Sequence, residues 1–163
     1  MSDTPVTDYP AVESEDRIHP GGRIVVGVDG SAASFSALRR GARIAESLGC
    51  SLVGLTVWEY PQAWPGYMID GWSPEADAEA IAENAAEEVF GSAVPSWYST
   101  VVRSGSPARQ LIAESEGAEM LIVGSRGLGG FTGLLLGSVS RSCAEHADCP
   151  VLVIHGKEAV LKH

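Results

Sequence analysis

Lysine is almost absent from this 163-residue chain, which holds only Lys157 and Lys162, both close to its C-terminal end. A P-loop, whose glycines must run into Gly-Lys-Ser or Gly-Lys-Thr, is therefore excluded. Positive charge is scarce in general: 11 Lys+Arg face 21 Asp+Glu, for a net charge of -10. Such a balance opposes binding to a phosphate backbone, so no nucleic-acid partner is expected. Cysteine is limited to Cys50, Cys143 and Cys149, with no Cys-x-x-Cys pair. An odd count does not suit a stapled secreted scaffold and points to a reducing compartment. Cys143 and Cys149 flank His146, but the spacing matches no standard zinc pattern, so buried thiols and no metal site are expected. Also missing is any run of the roughly 18 apolar residues that a membrane-spanning helix needs. Residues 1–16 carry Asp3, Asp8, Glu13, Glu15 and Asp16 without a base, unlike the basic start of a secretory signal. The expectation is a cytoplasmic protein with no membrane association.

What the chain does have is 45% hydrophobic residues, enough for one sizeable core. Residues 1–20 are acidic, hold Pro5, Pro10 and Pro20, and show no period, so they read as a disordered tail. A single domain is expected over residues 21–157, with a short C-terminal tail at 158–163. Within it, apolar runs without polar alternation predict strands at 24–28, 52–57, 99–102, 120–123 and 151–154, each buried on both faces. Amphipathic stretches separate them. The first runs from about Ser31 to Leu48, with Phe35, Leu38, Ala42, Ala45 and Leu48 in one stripe and Gly49 as its stop. Ser73-Pro74 and Ser106-Pro107 are start signals for the second and third, which should stop at Gly91 and Gly117. The fourth begins at Gly137-Ser138 and ends before Pro150. Five strands alternating with four helices predict an α/β fold with a parallel sheet and helices on both faces. The loop at 59–73 holds Tyr60, Trp64, Tyr67 and Trp72, which suit a lid, a partner surface or plain packing over the sheet edge.

Glycine is abundant, 19 residues in 163 where ~7% is ordinary. Gly124, Gly127, Gly129, Gly130, Gly133 and Gly137 cluster between the fourth strand and the fourth helix. A loop so placed lies at the carboxyl edge of a parallel sheet, where open α/β folds bind ligands. Glycines let backbone N–H groups approach an anion, and the following helix presents its positive end to the same charge, so a phosphate is the natural guest. The first strand ends in Gly27-Val28-Asp29-Gly30-Ser31, without the Gly-x-Gly-x-x-Gly spacing of a dinucleotide site. Asp29 also suits an N-cap of the first helix, and Ser138 an N-cap of the fourth.

The spacing Gly124, Gly127, Gly137, Ser138 (Gly, two residues, Gly, nine residues, Gly-Ser) resembles the hallmark of the nucleotide-binding branch of the universal stress protein family. The resemblance extends through Val-Gly-Val-Asp-Gly-Ser at 26–31 and Cys-Pro-Val-Leu-Val at 149–153. It implies a Rossmann-like, doubly wound sheet of order 3-2-1-4-5 and a homodimer paired through Val151–Ile154. It further implies binding of ATP, or of ADP, AMP or cAMP, together with Mg²⁺, by a stress-response sensor or adaptor. By position, Gly27, Asp29 and Val57 would line the site, and Gly124, Gly127, Gly137 and Ser138 would surround ribose and phosphates. Val139 and Ser140 would add contacts from the first helical turn. Arg126 joins them on charge and loop position alone. No catalytic residue is visible, so the reading is a binder and not an enzyme. The alternatives are a slow ATPase or nucleotidyl-transfer enzyme of the adenine-nucleotide α-hydrolase type, and a nucleotide-free interaction protein.

Overall fold

The computed structural model describes residues 19–60, 71–127 and 136–156. The tails, most of the aromatic loop (Trp64 and Tyr67 included) and Gly129, Gly130 and Gly133 lie outside the described residues. Nine elements alternate among the described residues: β1 (Arg23–Gly27), α1 (Ala32–Leu48), β2 (Ser51–Trp58), α2 (Pro74–Phe90), β3 (Tyr98–Ser104), α3 (Pro107–Glu114), β4 (Met120–Gly124), α4 (Ser138–His146) and β5 (Val151–Ile154). The strands form one sheet in the order β3-β2-β1-β4-β5, and every neighbouring pair is parallel. This is the doubly wound architecture expected from the sequence.

Period-two alternation sorts the strand residues onto two helical layers. Ile24, Val26 and Leu52 face α1 and α2, where Ala37, Leu38, Ala45 and Ala85 complete one apolar cluster. Val25, Leu55, Leu121 and Val123 face α3 and α4, where Leu111 and Cys143 complete the other. Burial pushes the Cys143 thiol up to about 11, so it is protonated at neutral pH. Gly41 in α1 faces the sheet: a Cβ there would stand 2.8 Å from Val26 Cγ2, so α1 sits closer to the sheet than a side chain would permit.

The helix ends follow their sequence signals with two differences at the starts, while α3 ends at Glu114 with Ser115 as its cap, short of the stop expected at Gly117. Ser73 caps α2 by accepting from the Ala76 amide at 3.2 Å, with Pro74 opening the helix and Glu75 and Asp77 in its first turn. Gly49 ends α1 in the left-handed conformation, φ 68°. The cap of α1, however, is Ser31, whose hydroxyl accepts from the Ser34 amide at 3.2 Å, and not Asp29. The cap of α4 is Gly137, without any side-chain bond, and Ser138 is already helical. These two differences leave Asp29 Oδ2 and the Ser138 hydroxyl without a capping role beside the same edge of the sheet. Among the described residues, no helix is long and apolar enough to cross a membrane.

Candidate functional site

The chain leaves β1 towards β2 and leaves β4 towards β5, so the connections after these two adjacent strands diverge and open a crevice at the carboxyl edge. Gly30, at φ 84°, turns the first connection into α1. Asp29 stands just before this turn and is held by it: its Oδ1 accepts from the Ser31 amide at 2.9 Å, and its own amide donates to Ser34 Oγ at 3.3 Å. The carboxylate therefore has a fixed place on the crevice wall, with Oδ2 directed towards Gly127, where an added Cβ would meet it at 2.5 Å.

Opposite, the connection after β4 is pinned at both ends. Ser125 donates its amide to Ile154 of β5 at 2.8 Å and accepts at its carbonyl from the Gly137 amide at 2.7 Å. Ser31 Oγ reaches the Arg126 carbonyl at 3.5 Å, a long bond that links the two walls. Arg126 itself is only partly buried.

Between the walls lies a cavity of about 530 Å³, within the ~300–1,000 Å³ usual for small-molecule sites. All ten residues assigned from the sequence line it: Gly27, Asp29, Val57, Gly124, Arg126, Gly127, Gly137, Ser138, Val139 and Ser140. Its remaining walls are Val28, Ser31, Ser34, Leu55, Val123 and, from the start of α3, Pro107 and Leu111. Leu55, Pro107 and Leu111 escaped sequence reasoning because only the packing of α3 and β2 brings them to the crevice. Ser31 carried a signal, since a serine before a helical stripe is an N-cap candidate close to any site at that helix end.

Two chemical features define what the cavity can hold. Among the described residues, Asp29 and Arg126 are its only ionisable lining residues, so that wall is formally neutral and offers neither histidine nor lysine for proton transfer. The groups suited to an anion are backbone ones: the amides at the start of α4 have no i−4 carbonyl within the helix, and among the described residues no side chain caps them. Where Ser140 was assigned a ligand contact, its hydroxyl is buried and turned inward, 3.1 Å from the Ser125 carbonyl and 3.0 Å from that of Gly137.

The four glycines on the wall differ in what surrounds them. A Cβ on Gly124 would stand 2.8 Å from Ala33 Cβ and 2.9 Å from its carbonyl carbon, and one on Gly27 would press Leu111 at 3.2 Å. Packing requires the first, and at the second Leu111 would have to give by a few tenths of an ångström. Among the described residues, a Cβ on Gly137 would make only ordinary contacts, the nearest at 3.5 Å, and one on Gly127 would meet only the end of Asp29. Neither has a positive φ. Among the described residues, Gly137 thus has room it does not need, and at Gly127 only the Asp29 carboxylate would have to move, as at a site for a closely seated group. Among the described residues, no cluster of three or more His, Cys, Asp or Glu could hold a metal ion. His146 Nδ1 instead lies 3.0 Å from the Ser142 carbonyl of its own helix.

Fold and site together define a doubly wound α/β protein with a glycine-lined cavity at the point where its connections diverge. Residues 22–155 match the universal stress protein family, and the chain belongs to it. A universal stress protein of Mycobacterium tuberculosis is 35% identical over 155 residues, covering 87% of this chain but 49% of that protein. The chain thus spans about half the length of that relative. A universal stress protein of Bacillus subtilis is 30% identical over 146 residues, covering 81% of this chain and 97% of its own. Among solved structures, a universal stress protein in complex with cAMP superposes with a TM-score of 0.65 at 26% identity, covering 85% of this chain and 99% of that one.

Proposed function

We propose that this chain binds an adenine nucleotide in the cavity between β1 and β4 and acts as a nucleotide-dependent sensor or adaptor in a stress response. The observation that carries the reading is the room at Gly127 and Gly137 beside the uncapped start of α4. In this reading the amides of Ser138 and Val139 receive phosphate oxygens, Arg126 supplies the one side-chain cation, and Asp29 takes a ribose hydroxyl. Gly27 and Val57 meet the base through their backbone, against the apolar wall of Leu55, Pro107 and Leu111. The ligand of the solved relative, cAMP, supports the adenine assignment.

The wall's neutrality bears on which nucleotide is held. A triphosphate would bring several negative charges to one arginine, so ATP would need Mg²⁺ carried in with it. A monophosphate or cAMP asks for less, and the cAMP complex of the relative makes this the second reading. The chain is a binder and not an efficient catalyst, because phosphoryl transfer needs a positioned base and strong charge compensation and the wall supplies little of either. The β5 edge of the sheet is the proposed homodimer contact, and the working compartment is the cytoplasm. Titration calorimetry of nucleotide-stripped protein with ATP, ADP, AMP and cAMP, with and without Mg²⁺, tests the reading. Micromolar binding with negligible turnover supports it; no heat with any of the four removes it in favour of a nucleotide-free interaction protein.

A further inference from the structure

The connection between β4 and α4 leaves the sheet at Ser125 and re-enters regular structure at Gly137. One carbonyl joins its two ends. The Ser125 oxygen accepts from the Gly137 amide at 2.7 Å and from the Ser140 hydroxyl at 3.1 Å, which occupies both of its lone pairs. Ser140 is 2% exposed, and its Oγ also lies 3.0 Å from the Gly137 carbonyl. That carbonyl accepts the Arg141 amide at 3.0 Å, the first hydrogen bond of α4. The hydroxyl thus sits on both ends of the connection and on the opening turn of the helix.

We propose that Ser140 is a positioning residue whose buried hydroxyl holds the start of α4 against Ser125, so that the free amides of that turn are aimed into the cavity before any ligand arrives. The inference rests on the nucleotide reading for its purpose, but not for its geometry. Ser138 precedes Ser140 by two positions, so the helix turns it away from the buried hydroxyl and leaves it for the ligand. A hydroxyl committed to two carbonyls has no donor left for a phosphate, whereas a backbone amide held in place offers its N–H without reorganisation. Ser140 acts through those amides and not by touching the nucleotide.

The test compares Ser140→Ala and Ser140→Thr with the native chain in two measurements. The first is hydrogen exchange of the Gly137 amide without nucleotide, which reads the clasp whether or not nucleotide binds. The second is affinity for AMP and cAMP by calorimetry. Ser140→Ala is expected to speed exchange at Gly137 and to weaken nucleotide binding roughly tenfold, the loss of about one buried hydrogen bond. Ser140→Thr, which keeps the hydroxyl, is expected to restore both. Unchanged exchange in a Ser140→Ala protein that binds more weakly would overturn the proposal and make Ser140 a direct ligand contact. Unchanged exchange with unchanged affinity would overturn it outright. Failure of threonine to restore either readout would assign the effect to buried volume and overturn the hydrogen-bond argument. If exchange responds as expected while even the native chain binds no nucleotide, the clasp stands and the nucleotide reading fails.

Discussion

Gly124 and Gly127 stand three positions apart at one rim of the cavity, yet the first is a glycine because protein fills the space beside it, whereas beside the second only one carboxylate stands among the described residues. At Gly124 the first turn of α1 lies across the end of β4, and Ala33 occupies the volume a side chain would need. At Gly127 the neighbouring volume is cavity. Gly27 and Gly137 repeat the division, one packed on Leu111 and the other open. A glycine motif is therefore not one signal. Part of it brings α1, β1 and β4 close enough to make a crevice, and part keeps the crevice clear.

Substitutions can break this division or sharpen it. The largest loss is expected from Gly124→Val, whose Cβ would meet backbone as well as Ala33. Overpacking of that kind costs about 3 kcal/mol, a fall in Tm of roughly 6 to 12 °C, which scanning calorimetry would record. Gly127→Val should do the reverse: displacing one carboxylate leaves the unfolding temperature within a few degrees of the native value, while adenine-nucleotide affinity falls at least tenfold by titration. A folded Gly127→Val protein with native affinity would contradict its place at the ligand. Asp29→Ala lies between the two cases. It removes the acceptor for the Ser31 amide, about 1 kcal/mol of stability, and should weaken nucleotide binding by more than that; an equal loss in both would make Asp29 a turn residue only. The smallest stability change belongs to Gly137→Ala, where φ is −70° and the nearest contact of the new Cβ is 3.5 Å. Chemical denaturation should place it within about 1 kcal/mol of native, with affinity still reduced several-fold.

Most of the fold was legible because its signals are local. Unalternated apolar runs marked the five strands, and serine-proline pairs marked two of the helix starts. The order of the strands was carried by the family resemblance and not by periodicity. The observed β3 starts at Tyr98 and extends to Ser104, beyond the span read from its apolar residues, since its register with β2 continues through Arg103 and Ser104. The glycine spacing led to the carboxyl edge of the sheet, where the cavity lies. It could not tell Gly124 from Gly127, because the difference lies in Ala33, which is distant in sequence. The exchange of roles between Asp29 and Ser31, and the inward turn of Ser140 onto a carbonyl fifteen positions away, were equally hidden. Each depends on which backbone group tertiary packing brings within reach. The apolar wall of Leu55, Pro107 and Leu111 was invisible for the same reason.

The central claim, that the cavity between β1 and β4 is an adenine-nucleotide site, is tested most directly by the backbone amide spectrum of the native chain as AMP is added. The account predicts shifts concentrated at Gly27, Val57, Gly127, Ser138 and Val139, with the residues of α2 unmoved. Saturable shifts confined to another surface, or none up to millimolar nucleotide, would contradict it.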